Sequence, residues 1–135
     1  GALAWSMVPL SPAQIGAVGA ALARRIVRTP LLQAWPNDDV WLKPEMLQRH
    51  GSFKLRAALG AMEGVKHEGA LITASAGNFG QGLAGAARSA GRMLTVAVPD
   101  TAAETKRAAM AALGARLIDL PFDAWWRVFS ERHLT

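Results

Sequence analysis

From residue 40 onward, short apolar runs alternate with stretches of helical spacing. "VWLKP" precedes a helical stretch over 53–66, and "ALITA" precedes a small-residue helix over 79–89. "MLTVAVP" then leads into "TAAETKRAAMAALG", and "ARLIDL" into "FDAWWRVFSERH". Apolar runs this short, bounded by Pro, Gly and Asn, read as strands. Between them, Phe53, Leu55, Leu59, Met62 and Val65 recur at helical intervals. The resulting β-α-β-α-β-α-β-α order predicts an α/β fold: a parallel sheet flanked by helices, with right-handed crossovers and both faces covered. In such sheets ligands collect beyond the C-terminal strand ends, where helix N-termini converge. The order places Lys54 after the first strand and residues 75–78 after the second, so two distant turns are expected to line one crevice.

Ahead of this unit, residues 1–39 are expected to form an arm and a helix, leaving 40–135 as the α/β unit. In "LSPAQIGAVGAALARRIVR", Ser11 is placed to cap, Pro12 suits the first helical position and Gln14 can close a capping box. Ile15, Gly19, Leu22 and Ile26 give a stripe that predicts a helix running to about Arg28, stopped by Thr29 and Pro30. Arg24, Arg25 and Arg28 then sit near its C-terminal end. Trp5 and Met7 are expected to anchor the arm, and Trp125, Trp126, Val128 and Phe129 to pack on the sheet.

With 135 residues, 51% apolar and 19% charged, the chain suits one compact domain and is not a disordered linker. No apolar run is long enough to span a membrane, and the start lacks the basic segment and long apolar core of a secretory leader. The absence of cysteine removes disulfides and thiolate chemistry and fits a cytoplasmic location. The net charge of +5 is dispersed, without an aromatic-interleaved basic stripe, so nucleic acid is not expected as a partner. His50, His67 and His133 lie far apart without clustered acids, and no metal site is expected.

Two turns carry the chemistry. Lys54 follows Gly51 and Ser52 where a helix should begin, a place that opposes an ammonium through the helix dipole. A solvated surface amine is one reading. The other is an unprotonated amine that attacks carbonyls and forms a Schiff base. Ser52 can hold an oxyanion or cap the helix, and Phe53 can fix the direction of Lys54. "TASAGNFGQG" is neither a dinucleotide fingerprint nor a phosphate loop with lysine. Its free amides at a helix start, with the Ser75 hydroxyl and Asn78 amide, suit a carboxylate or phosphate. It equally suits a tight strand-helix turn in which Gly77, Gly80 and Gly82 serve packing.

Read together, "KPEMLQRHGSFKLRAAL" resembles the segment K-x-E-x-x-Q-x-T-G-S-F-K-x-R-G-A, and "SAGNFGQG" resembles S-x-G-N-H-x-Q-G. These are motifs of the pyridoxal-phosphate-dependent threonine/serine dehydratases, with the tryptophan-synthase-β-like (fold type II) architecture. The resemblance runs from about Thr29 to Leu120, with Lys106 and the Gly114 and Ala115 pair in register. It implies pyridoxal 5'-phosphate as cofactor and Lys54 as the Schiff-base lysine and catalytic residue. Phe53 and Asn78 would also touch the cofactor, Asn78 at its ring hydroxyl. Ser75, Ala76, Gly77, Asn78 and Gln81 would bind the substrate carboxylate.

Departures from the pattern are His50 for threonine, Ala57 for glycine and Phe79 for histidine. Ala76 is more like the dehydratases than the serine racemases, which place a serine there. The loop for the cofactor phosphate lies later in this family, as does the residue facing the pyridine nitrogen, and neither motif occurs here. The resemblance therefore implies an N-terminal part, inactive alone, of an enzyme that dehydrates and deaminates L-threonine or L-serine. That enzyme would bind a small amino acid and form homo-oligomers. β-Replacement, a threonine-synthase-like reaction and a non-catalytic partner-binding module are the alternatives.

Overall fold

A computed structural model describes residues 11–36 and 39–131. Trp5, Met7 and His133 lie outside the described residues. The sheet forms where the sequence places buried strands: β3 (Leu71–Ala74), β4 (Leu94–Pro99) and β5 (Arg116–Leu120) pair in parallel in that order. Leu71 aligns with Leu94, and Val96 with Leu117. On β4 the alternation is decisive. Leu94, Val96 and Val98 join one core with Leu83, Ala84 and Ala87 of α3 (Asn78–Ser89) and Met110 of α4 (Glu104–Ala112). From the intervening Ala97, the carbonyl oxygen accepts a bond from Trp125 Nε1 at 3.0 Å, which seats α5 (Phe122–Glu131) against β3 and β4. The expected parallel sheet flanked by helices is therefore present.

Its strand count is one lower than expected. The "VWLKP" strand, β2 (Trp41–Leu42), pairs antiparallel with β1 (Leu32–Gln33) in a separate two-stranded ribbon. The link between them is too short for a crossover helix, so it can only return the chain antiparallel. Trp41 and Leu42 are 53% and 52% exposed, whereas a parallel strand would bury both faces. Lys54 thus follows this ribbon and not a strand of the parallel sheet.

The first helix, α1 (Pro12–Leu22), has the expected cap: the Ser11 hydroxyl accepts from Gln14 N–H, and Gln14 Oε1 from Ser11 N–H. It stops before Arg24, earlier than its periodicity predicts, and of its stripe only Leu22 is buried. The cause is Gln48. Its amide accepts from Val27 N–H at 3.0 Å and donates to the Val27 carbonyl at 2.7 Å, pairing with Val27 as a neighbouring strand would. Of the aromatic residues on α5, Trp125 is buried as expected, while Trp126 and Phe129 are about half exposed.

Between ribbon and sheet, α2 (Lys54–Gly64) lies across α3. Its approach depends on two glycines. A Cβ on Gly82 would stand 3.3 Å from the Lys54 carbonyl oxygen and from Leu55 Cα, and one on Gly85 would overlap the His50 ring. The base of α2 is fixed from the other side by Glu45, on a short 3-10 turn (Glu45–Leu47). Arg56 donates to both its oxygens at 2.8 Å, Thr29 Oγ1 donates at 2.7 Å and Gln48 Nε2 at 3.3 Å. Lys43 Nζ adds a bond to the Thr29 carbonyl at 2.7 Å. Residues 27–29, which have no strand partner, are thereby stitched to the turn that leads into α2.

The Arg56 hydrogen bonds, assisted by those of Thr29 and Gln48 and by the Arg56 charge, outweigh burial and hold Glu45 at a pKa of about 2, below its ordinary 4.5. A lowered carboxylate pKa contributes stability above the unfolded value that is lost as pH falls toward the folded one. Glu45→Gln should cost about 2 kcal/mol at neutral pH. In parallel denaturant titrations that difference should shrink between pH 4.5 and 2; a gap constant to pH 2 would remove Glu45 as the cause. Separately, Gly85→Ala should lower stability by about 1–3 kcal/mol through overpacking against His50, and His50→Ala in the same chain should recover most of it.

Candidate functional site

Lys54 reaches its place through a turn that only glycine adopts without strain. Gly51 has φ +68°, in the left-handed region. Buried Ser52 then starts the helix: its hydroxyl accepts from Lys54 N–H at 3.2 Å and its carbonyl from Leu55 N–H. Its hydroxyl thus satisfies the first amide of α2. The Lys54 side chain is half-buried, with Nζ 4.8 Å from the centre of the Phe53 ring and no carboxylate in ion-pair reach among the described residues. Phe53 itself is 54% exposed.

The second turn is built around Ser75. It is buried, its N–H donates to the Ala97 carbonyl at 3.0 Å, and its hydroxyl oxygen accepts from Gly80 N–H at 2.9 Å and Gly77 N–H at 3.3 Å. Two incoming donors occupy the oxygen lone pairs, so the hydroxyl proton is left to point at something else. Gly80 permits this closeness, since a Cβ there would sit 2.6 Å from Met110 Sδ and 3.1 Å from Ser75 Cβ. A helix start leaves its first N–H groups unpartnered. Here Ser75 takes two of them, and the amides of Ala76, Asn78 and Phe79 bond to no described residue. Ala76 and Asn78 are exposed and Gly77 is half-buried. One turn further, half-buried Gln81 accepts from Lys106 Nζ at 3.2 Å.

The two turns meet through α3. Gly82, one turn beyond Asn78, touches the backbone of Lys54, so the first turns of α2 and α3 lie side by side. Phe79 turns toward apolar company: it packs against the main core and borders a cavity of about 810 Å³ with Ile72, Ala74, Val128 and Phe129. Where the family pattern has histidine, this site therefore has a hydrocarbon wall. His50, the other departure, is half-buried against Gly85, and burial first, then the Arg49 charge, lowers its pKa. Among the described residues no group of three or more acidic or histidine side chains is placed to hold a metal, and no helix is long and apolar enough to cross a membrane.

Sequence reading gave no role to Lys43, Glu45, Gln48 and Arg56, although all four stand inside the lysine motif. The structure makes them the brace beneath α2. The signal was their spacing relative to Lys54; their partners, Val27 and Thr29, lie too far along the chain for a local pattern to show.

The residues fit pyridoxal phosphate at the points this chain supplies. There is a half-buried amine with no carboxylate in ion-pair reach among the described residues, and its backbone meets, at Gly82, the helix that begins at a turn with uncommitted amide donors and a hydroxyl proton. Residues 22–129 match the family described as "Pyridoxal-phosphate dependent enzyme". Serine racemase of Bos taurus is 34% identical over 99 residues, covering 69% of this chain and 30% of that protein. Catabolic L-threonine dehydratase of Staphylococcus aureus is 37% identical over 102 residues, with the same coverage. Among solved structures, a threonine deaminase from T.th. superimposes with a TM-score of 0.79 at 30% identity, over 90% of this chain and 41% of that one. A pyridoxal 5'-phosphate-dependent aspartate racemase gives 0.71 at 31% identity, over 84% and 40%. The chain thus spans about 30% of the length of the serine racemase and threonine dehydratase it matches. It belongs to the pyridoxal-phosphate-dependent enzymes of fold type II, alongside the serine racemases and threonine dehydratases.

Proposed function

We propose that this chain is the lysine-bearing part of an enzyme that dehydrates and deaminates L-threonine or L-serine to a 2-oxo acid and ammonia. The observation that supports this reading is the approach of the Lys54 backbone to Gly82, which brings the start of α2 onto the helix that begins at the 75–78 turn and its uncommitted donors. Lys54 would hold pyridoxal phosphate through Nζ, with Phe53 and Asn78 against it. When bound, the cofactor supplies an electron sink for charge released at the substrate Cα.

The remaining work falls to the protein. The Ser75 hydroxyl and the amides of Ala76, Gly77 and Asn78 form the cradle for the substrate carboxylate, with Gln81 at its edge. Gly77 donates only weakly to Ser75, at 3.3 Å, and can turn to a stronger anionic acceptor. With the cofactor bound, Lys54 Nζ would be the base for the substrate Cα proton. Loss of the β-hydroxyl and hydrolysis of the resulting enamine give the 2-oxo acid and ammonia, so the water released is the water consumed. Ala76 favours this outcome over racemisation, because a methyl group cannot return a proton to Cα.

The test uses the full-length protein. Borohydride reduction in saturating cofactor should leave the pyridoxyl group on the peptide containing Lys54. Lys54→Ala should lower ammonia release from L-threonine or L-serine by about a hundredfold or more. A label on another lysine, or a wild-type rate in the alanine variant, overturns the assignment. Product formation that requires an added thiol or other nucleophile would instead indicate β-replacement.

A further inference from the structure

We propose that Trp125 is a positioning residue for the 75–78 turn, acting on Ser75 through the Ala97 carbonyl oxygen to which both residues donate. The proposal rests on the reading of that turn as the carboxylate cradle. Ser75 follows the last residue of β3, and its N–H, bonded to the Ala97 carbonyl at 3.0 Å, makes the final rung between β3 and β4. Beyond it the chain turns away into α3, and the register between the two strands ends. A rung at the end of a ladder opens more readily than one inside it. Here the same carbonyl accepts a second bond, from Trp125 Nε1, also at 3.0 Å. A carbonyl oxygen has two lone pairs and can take both donors. The Ala97 peptide can then tilt away from Ser75 only by breaking a buried bond to α5 as well.

Two features make this indole a fixed donor as well as core filler. Its N–H donates and cannot accept, so a buried ring needs an acceptor, and Trp125 is buried. Phe122 stands one turn before it and Phe129 one turn after, with ring centres 5.9 and 5.2 Å away, and these neighbours hold its direction. The bond thus ties α5, which packs on β3 and β4, to the rung that leads into the turn. What that rung carries decides the role. The Ser75 oxygen is filled by Gly77 and Gly80 N–H, so its proton is offered outward from wherever the Ser75 backbone stands. A shift of that backbone moves the donor and slackens the 2.9 Å bond from Gly80 that seats the start of α3. Lys54 belongs to α2 and reaches α3 further along, at Gly82. Losing the indole N–H should therefore loosen the grip on the carboxylate and leave the amine in place.

The test makes two replacements at residue 125 in the full-length holoenzyme. Trp125→Phe removes the N–H and part of the ring, whereas benzothienylalanine, inserted at the same position, keeps the bicyclic shape and removes only the donor. In the benzothienylalanine form, L-serine binding, read from the change in cofactor absorbance, should weaken by about fivefold, the loss of one hydrogen bond. Turnover at saturating L-serine should stay within about twofold of wild type, since the loss falls on binding and not on the base. As a readout independent of turnover, hydrogen exchange in a peptide covering residues 71–79 should quicken by about fivefold, while that of residues 116–120 holds. Trp125→Phe should lose at least as much in both measurements. Unchanged binding and exchange in the benzothienylalanine form, even with Trp125→Phe impaired, would leave the ring as packing alone and overturn the proposal. Weaker binding without quicker exchange would overturn it too, and so would quicker exchange with L-serine binding intact. Absence of borohydride label at Lys54 in the wild-type protein would overturn the wider reading of the site and this proposal with it.

Discussion

Two helices can bring their backbones together only where side chains in the contact are absent or small, and α2 meets α3 at such a point, Gly82 against the Ala58 methyl. Packed helix axes ordinarily stand 8–10 Å apart, a distance set by the side chains between them. At Gly82 only the Ala58 methyl stands in the contact, and a Cβ there would lie 3.3 Å from that methyl, from the Lys54 carbonyl and from Leu55 Cα, closer than a methyl group ordinarily packs. Everything proposed for the site depends on this. The 75–78 turn is fixed by β3 and by its bonds to Ala97 and Gly80, so its position is given by the sheet. Lys54 has no such link to the sheet. Its distance from that turn is set by where α2 can lie on α3. A side chain at residue 82 would push the base of α2 outward while leaving the parallel sheet intact, separating stability from function.

The second support acts on the opposite side of α2. Glu45 gathers bonds from Arg56, Thr29 and Gln48, and Gln48 in turn holds the backbone of Val27. Apolar packing tolerates small slides, whereas a bidentate guanidinium-carboxylate pair has one good geometry. A brace of this kind, between a ribbon and a helix that share little apolar surface, sets direction more than it adds net stability. The direction it sets is that of the first turn of α2, two residues from the amine. Packing at Gly82 decides how close Lys54 comes, and the Glu45 brace decides how α2 is turned.

Much of this was legible in the sequence, for physical reasons that also mark where reading stopped. Strands β3 to β5 are short apolar runs between helical stretches, and the right-handed crossover rule allows few arrangements of them. The capping box of α1 is local and was found where Ser11 and Gln14 predict it. What failed was non-local. "VWLKP" has the composition of a strand, but composition does not name a partner, and the short return from Leu32 and Gln33 claimed it. The stripe through Ile26 is genuine helical spacing, yet α1 ends at Leu22 and a glutamine twenty-one residues from Val27 takes the Val27 backbone, which a helix to Arg28 would need. Lys54 and residues 75–78 stood out because each sits in a turn with an unusual residue pattern. Glu45, Arg56 and Lys106 did not, because a charged residue on paper looks solvated until its partner is known.

The donors around residue 75 have a property that residue types alone do not convey. A serine hydroxyl is ordinarily ambivalent, able to donate or accept as its surroundings demand. Here two backbone N–H groups occupy its oxygen, so rotation of the hydroxyl can change where the proton points but not whether it is offered. A carboxylate entering the turn therefore meets a donor that need not reorganise, and fixed dipoles are most effective when they are already aligned. Preference for an anion would then come from filling the acceptor side of an ambivalent group with bonds from the protein. The helix dipole of α3 contributes in the same direction but falls off within a turn, whereas a committed hydroxyl keeps its preference wherever the ligand oxygen settles within reach.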